Sequence, residues 1–236
     1  ASALLICAIN REGLVNPNAI KLAAAMELLH LATLVHDDII DDAPSRRGRV
    51  TLQKQFGKKT AVICGDYLFC MALKLAASVT DKQEYLELSL PDYMTKICLG
   101  ELNQHLHNSD LDLSLKDYFK IISGKTAALF EAAFFAGAVL CEQHSAKGAL
   151  YRRLGRYIGM IFQLTDDCMD YETTEQTAKK PVRSDYEQGV ITLPLIVTLR
   201  QMSELKEQCK KGELTKEELY SIVIKSGGTS FTYEIA

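Results

Sequence analysis

The sequence predicts an all-α domain. Apolar residues recur at helical spacing along most of the chain, no alternating run is long enough to build a sheet, and caps and breakers fall at helix-length intervals. With 236 residues and 47% hydrophobic content the chain can bury a substantial core, and its 24% charged content is that of a globular protein. Disorder, collagen-like repeats and disulfide miniproteins are excluded. The net charge of −3 gives no bulk attraction to nucleic acid or to an acidic membrane. No linker or low-complexity stretch divides the sequence, so residues 1–236 are expected to form one domain.

The elements follow in order. Asn18 is expected to cap a helix from Ala19 to about Asp41, ended by Pro44. Its interior, including Leu22, Ala25, Met26, Leu29, Ala32 and Val35, is apolar nearly all round, as in a central buried helix of roughly 35 Å. A second helix covers about Thr60 to Ala77, and a third about Leu86 to His107, with Pro91 arguing for a later start. Asn108-Ser109-Asp110 forms a turn. Ser114 then caps a helix to about Cys141, with an interruption at Gly124, and another runs from Ala146 to about Tyr171. Residues 172–189 form the longest loop, a candidate lid. Thr192 is expected to cap a helix to about Leu205, and Thr215 with Glu218 forms a capping box for a helix to about Lys225.

Seven cysteines without any C-x-x-C pair read as reduced, mostly buried thiols of an intracellular protein. The apolar start, Ala1 to Ile9, is too short to span a bilayer, and no transmembrane segment is expected. The chain opens on Ala1 and ends on Ala236, and is expected to be a fragment lacking both ends.

One pattern occurs twice. Asp37-Asp38-Ile39-Ile40-Asp41 and Asp166-Asp167-Cys168-Met169-Asp170 are both D-D-x-x-D. With 14 Asp in the chain, chance would supply about 0.05 such patterns. On a helix the first and last carboxylates of each box share a face. Both boxes fall near helix C-termini, where the macrodipole disfavours negative charge. Divalent cations offset that cost, and oxygen-only ligands suit Mg²⁺, with Mn²⁺ as the alternative. Two facing boxes would leave room for a diphosphate between the ions. Neither box has the Gly-containing loop of a structural Ca²⁺ site.

Basic residues accompany the boxes. Arg46 and Arg47 follow the first, and guanidinium forks bind phosphate oxygens. Lys125 and Thr126 lie in an apolar stretch, Lys180 follows the second box, and Gln163 is expected to share a face with Asp166. His30 lies two turns before Asp37 and reads, on the residues alone, as a core histidine. His36 adjoins the box without metal-ligand spacing.

Together with the strings Glu27-Leu-Leu-His30, Arg46-Arg-Gly48, Gly65-Asp-Tyr-Leu68, Gly100-Glu-Leu-x-Gln104, Lys125-Thr-Ala-Ala-Leu129, Lys180-Pro181, Ser184-Asp185 and Gly189-x-x-Thr-Leu-Pro194, the boxes run in the order found in one family. From about residue 20 to 195 the chain resembles the trans-isoprenyl (polyprenyl) diphosphate synthases. That resemblance implies an all-α isoprenoid synthase bundle with a central cavity. It implies cytoplasmic location and a homodimer, or a heterodimer with a regulatory subunit. It further implies that Asp37, Asp38, Asp41, Asp166, Asp167 and Asp170 bind three Mg²⁺ around an allylic diphosphate. Arg46, Lys125, Thr126 and Lys180 would contact that diphosphate with Gln163 beside it. Arg47 and His30 would bind isopentenyl diphosphate. The family's G-K-x-x-R-P element and its basic C-terminal tail have no counterpart in the sequence.

Ala32 and Thr33 lie one turn before the first box, where an aromatic residue blocks elongation early in the family. Small residues there imply a deep floor and a hexaprenyl, heptaprenyl or octaprenyl product of the kind used for quinone tails. A residue between Leu68 and Leu75 plugging the pocket would give a shorter, geranylgeranyl product. A catalytic subunit inactive without its partner, a non-catalytic subunit and a class I terpene cyclase are the rival readings. The second box speaks against the cyclase, whose second metal motif carries Asn and Ser or Thr.

Overall fold

The structure is a computed structural model that describes residues 1–46, 48–79, 90–141, 145–172 and 185–236. In chain order its helices are α1 (Ser2–Cys7), α2 (Pro17–Ile40), α3 (Leu52–Phe56), α4 (Lys58–Ala77), α5 (Leu90–Leu106), α6 (Leu115–Ile122), α7 (Ala128–Val139), α8 (Gly148–Glu172), α9 (Leu193–Gln201), α10 (Ser203–Lys211), α11 (Lys216–Lys225) and α12 (Gly228–Ile235). The fold is the all-α one that the sequence predicts. Among the described residues the one ladder is a hairpin, β1 (Ser45–Arg46) against β2 (Arg49–Val50), too short to show as alternation.

The chain divides into two compact units, Ala1–Thr95 with Ala128–Tyr157, and Lys96–Ala127 with Ile158–Ala236. In the first, α2 packs chiefly on α4. The reason is a small-residue ridge: Ala61, Gly65, Ala72 and Ala76 are the buried residues of α4, recurring at helical spacing. They let Leu22, Met26, Leu29, Ala32 and Val35 of α2 come close. In the same unit α1 lies against α7, where a Cβ on Gly137 would sit 2.4 Å from the Leu4 carbonyl.

The second unit is built around α9, whose residues Leu193 to Leu199 are all buried. Tyr171 and Tyr220 pack on it with ring centroids 4.5 Å apart. Thr215 and Glu218 form the predicted capping box at α11. Ser114 caps α6, accepting from the Asp117 amide.

Several expected boundaries shift. Asn16, not Asn18, caps α2: its side chain accepts from the Asn18 amide, and Pro17 fills the first helical position, where no amide is needed. The Gly124 interruption is a π-helical turn, Ser123–Ala127, between α6 and α7. Thr192 does not cap α9 through its side chain; its Oγ1 meets the Tyr171 hydroxyl at 3.1 Å. The helix expected to reach Leu205 breaks at Met202, where the backbone turns extended (φ −127°, ψ 84°). Of the seven free cysteines only Cys7, Cys141 and Cys168 are buried, while Cys70 and Cys98 are exposed. Three helical stretches, Pro17–Ile40, Lys58–Ala77 and Leu115–Val139, are by length and composition alone apolar enough to cross a membrane.

Candidate active site

The first acidic box ends α2. Asp37 and Asp38 lie in the last turn, and Asp41 is the C-cap, its amide bonded to the Asp37 carbonyl at 2.8 Å. The last turn holds no basic residue, so the chain beyond it supplies the positive charge. Arg46, on β1, donates Nε–H to Asp38 Oδ1 at 2.7 Å. The hairpin brings Arg46 back to the helix end. Asp38 is only 7% exposed. Gln53 on α3 donates from Nε2 to the Asp38 and Ala43 carbonyls at 2.9 and 3.0 Å, and Thr51 donates to Ala43 at 2.7 Å. These two residues add donors to the carbonyls at and just past the helix end, where the Asp38 carbonyl also accepts from the Ala43 amide at 2.9 Å. Lys58 and, after it, Lys54 hold Asp42, the next carboxylate, below the ordinary range.

His30 is exposed, which sets aside its reading as a core histidine. Thr33 is half-buried and donates Oγ1–H to the His30 carbonyl at 2.8 Å, whereas Ala32 has no exposed surface. Arg47 and Lys180 lie outside the described residues, as does most of the 172–189 loop.

The second box ends α8, within the other unit. Asp167 is 3% exposed, and both of its oxygens are engaged. Tyr118 donates its hydroxyl at 2.5 Å, and Gln163 donates Nε2–H at 2.7 Å. Gln163 thus meets Asp167, one turn on. Its own Oε1 accepts from Thr126 at 2.6 Å, so the π turn, Gln163 and Asp167 form one chain of hydrogen bonds. Asp170 accepts from the Tyr220 hydroxyl at 2.8 Å.

Lys125 is displayed by the same π turn, and π turns recur at functional sites. Its ammonium donates to Glu101 at 2.8 Å. The turn sits where it does because two backbones touch. A Cβ on Gly100 of α5 would lie 2.1 Å from the Lys125 amide nitrogen, and one on Gly124 would lie 3.0 Å from the Gly100 Cα.

Electrostatics identify a further carboxylate. Burial raises the Asp185 carboxyl well above its usual range, and the charges of Asp170, Asp167 and Asp166 raise it further, with Lys125 opposing them. Burial also pushes Asp167 up to about 7, against the bonds from Tyr118 and Gln163. The charges of Asp166 and Asp170 raise both Asp167 and Asp185, and a site with that excess of negative charge is one that a divalent cation fits. Among the described residues no three His, Cys, Asp or Glu side chains are grouped to hold an ion unaided. Mg²⁺ takes one or two carboxylates and completes its shell from water and substrate phosphate, so the donor set here matches that ion.

Sequence reasoning assigned no role to Tyr118, Tyr220, Gln53, Glu101 or Asp185. Tyr118 lies seven residues before Lys125, two turns along, which was a usable signal. Gln53 and Tyr220 act through tertiary contacts that no local spacing encodes.

A sequence profile of the polyprenyl synthetase family matches residues 2–224, and the chain belongs to that family. It is 35% identical over 210 residues to heptaprenyl diphosphate synthase component 2 of Bacillus subtilis (strain 168), covering 87% of this chain and 59% of the relative. It is 32% identical over 214 residues to octaprenyl diphosphate synthase of Haemophilus influenzae, covering 89% of this chain and 64% of the relative. The chain therefore spans less than two thirds of either relative's length. Among solved structures it is similar to heptaprenyl diphosphate synthase from Staphylococcus aureus (TM-score 0.90, 29% identity, 99% of this chain and 75% of that one). It is also similar to a polyprenyl synthase from Caulobacter crescentus CB15 solved with calcium and isoprenyl diphosphate (TM-score 0.87, 34% identity, 99% and 72%).

Proposed function

We propose that the protein is a prenyltransferase that condenses isopentenyl diphosphate with an allylic diphosphate and makes a medium- or long-chain all-trans polyprenyl diphosphate. The observation that carries this reading is the repeated acidic box, each copy closing a long helix and each backed by its own hydrogen-bonded supports. Relatives named heptaprenyl and octaprenyl diphosphate synthase support the product class. The family profile runs through both units, and we read them as parts of one synthase domain.

Asp37, Asp38 and Asp41 on one helix end, and Asp166, Asp167 and Asp170 on the other, would hold Mg²⁺ ions, three with diphosphate bound. When bound, those ions neutralise charge on the departing diphosphate. Arg46 keeps further N–H donors beyond the one on Asp38, and these would reach phosphate oxygens. Lys125 and Thr126, on the π turn, would contact diphosphate oxygens. Arg47 and Lys180 are proposed contacts, as is His30 for the isopentenyl diphosphate. In the reaction the allylic C–O bond breaks to release diphosphate, the alkene of isopentenyl diphosphate forms the new C–C bond, and the proton lost in restoring the double bond passes to the departed diphosphate. The residues' task is to orient both diphosphates and stabilise the leaving one, and no nucleophilic side chain is required.

We read the protein as cytoplasmic, without a transmembrane segment, the apolar helices serving as bundle walls. A homodimer, or a pairing with a second subunit, completes the reading. The Bacillus relative's name, component 2, supports the second arrangement. The test is incubation of the full-length protein with farnesyl diphosphate, labelled isopentenyl diphosphate and Mg²⁺, followed by sizing of the products. Metal-dependent chains longer than geranylgeranyl are expected. Chains that stop at geranylgeranyl would contradict the product length, and no condensation, with or without a partner subunit, would contradict the reaction.

A further inference from the structure

His36 immediately precedes the first acidic box, and no role has so far attached to it. Its ring fills a notch in α4. At Gly65 a Cβ would lie 2.3 Å from Nε2, 2.7 Å from Cδ2 and 2.9 Å from Cε1 of His36, so the imidazole occupies the space that any side chain at 65 would need. The walls of the notch come from the surrounding turns of the same helix. His36 Nε2 lies 3.3 Å from Asp66 Oδ1 and 3.4 Å from the Val62 carbonyl oxygen. Both neighbours are acceptors, which assigns the proton to Nε2 as donor. One turn on, the Phe69 ring stacks on the imidazole with centroids 5.6 Å apart and planes 21° from parallel.

A peg in a notch fixes two degrees of freedom at once: the rotation of α2 about its axis and its slide along α4. Those settings matter most at this point of the chain. The last turn of α2 carries carboxylates at the negative end of the helix dipole and holds no basic residue, so its intrinsic tendency is to fray. Arg46 and Gln53 secure Asp38 from the hairpin and α3. His36, on α2 itself just before that turn, anchors it to α4. The ring is half-buried and no hydrogen bond links it to the acidic box, so its influence on the box is mechanical, through the backbone it shares with Asp37.

We propose that His36 is a positioning residue for the first acidic box: seated in the Gly65 notch, hydrogen-bonded to the Val62 carbonyl and beside Asp66, it sets the direction in which Asp37 and Asp38 present their carboxylates to a metal-bound diphosphate. This rests on the prenyltransferase reading for its effect on turnover, but not for its effect on ion binding. His36→Ala empties the notch. Gly65→Ala leaves the histidine in place and evicts its ring. His36→Gln keeps an N–H donor for the Val62 carbonyl.

The experiment measures, in the full-length protein, Mn²⁺ affinity in the presence of inorganic diphosphate by the loss of free Mn²⁺ signal in electron paramagnetic resonance. It also measures kcat, KM for isopentenyl diphosphate and the melting temperature. His36→Ala and Gly65→Ala are each expected to weaken Mn²⁺ binding about tenfold and lower kcat about a hundredfold, the scale that small misplacement produces, with KM within about threefold of wild type. His36→Gln should recover at least half of the lost binding on a logarithmic scale. The double variant should be no worse than either single one, because both remove the same contact.

A folded His36→Ala protein that binds Mn²⁺ and turns over like wild type would overturn the proposal. So would defects that add in the double variant, or defects that track melting temperature alone with no recovery in His36→Gln. If His36→Ala fails to fold, Gly65→Ala and His36→Gln decide the matter by the same criteria. Wild-type protein that binds Mn²⁺ with diphosphate but condenses nothing would contradict the prenyltransferase reading, and the binding series would still judge His36.

Discussion

Asp167→Asn should stabilise the metal-free protein at neutral pH while lowering turnover about a thousandfold, the scale set by losing one preorganised charged group. The two effects have opposite signs because the carboxylate is placed for charge, not for comfort. It is 3% exposed, and burial lifts it from an ordinary value near 4 to about 7. The folded metal-free protein therefore disfavours the ionised form. In the unfolded chain the group ionises near pH 4, so the wild type loses stability as pH rises from about 4 to about 7, and the loss is complete above that. Asparagine is never charged. The stability gap in its favour should thus open across that window and level off above it, reaching on the order of 4 kcal/mol. The amide keeps an oxygen for Gln163, and the Tyr118 hydroxyl can turn to accept from its nitrogen. Thermal melts of the pair from pH 4 to pH 8 in EDTA check the first sign. Condensation rates with Mg²⁺ check the second.

Gly100→Ala should cost about 3 kcal/mol or more of stability, the severe end of overpacking. The new methyl would lie 2.1 Å from the Lys125 amide nitrogen, 2.6 Å from the Gly124 carbonyl carbon and 2.8 Å from the Lys125 Cα. All three are backbone atoms of the π turn, so no rotamer change relieves the clash. Either α5 moves away or the turn deforms. Both outcomes pull Lys125 from Glu101 and Thr126 from Gln163. A urea midpoint shifted well below wild type is the expected reading, and a midpoint within 0.5 kcal/mol of wild type would contradict the backbone contact.

The helices were legible in the sequence because their periodicity is strong and their caps are local. Thr215 with Glu218, and Ser114 with Asp117, satisfy one another within three residues, so spacing alone reveals them. The failures are also physical. The Asn16 cap was missed because Asn18 offers the same side chain two positions later, and only Pro17 at the first helical position distinguishes them. The π turn at Ser123–Ala127 was expected merely as an interruption, since its cause is the approach of Gly100, more than twenty residues away in sequence.

The same division runs through the site. Paired acidic boxes stand out as a repeated pattern. What seats them does not, because Tyr118, Tyr220, Gln53 and His36 act on carboxylates or helix ends across tertiary contacts. Asp185 was part of a recognised string, but its charge coupling to the second box emerges only when the loop and helix are placed together.

The central claim is that both acidic boxes hold divalent cations against a diphosphate. Crystals of the full-length protein soaked with Mn²⁺ and inorganic diphosphate, recorded at a wavelength where manganese scatters anomalously, test it most directly. The account predicts anomalous peaks within about 2.3 Å of carboxylate oxygens from Asp37 or Asp38 and from Asp166 or Asp170, with diphosphate oxygens completing the shells. Manganese bound elsewhere, or diphosphate bound without metal at either box, would contradict it.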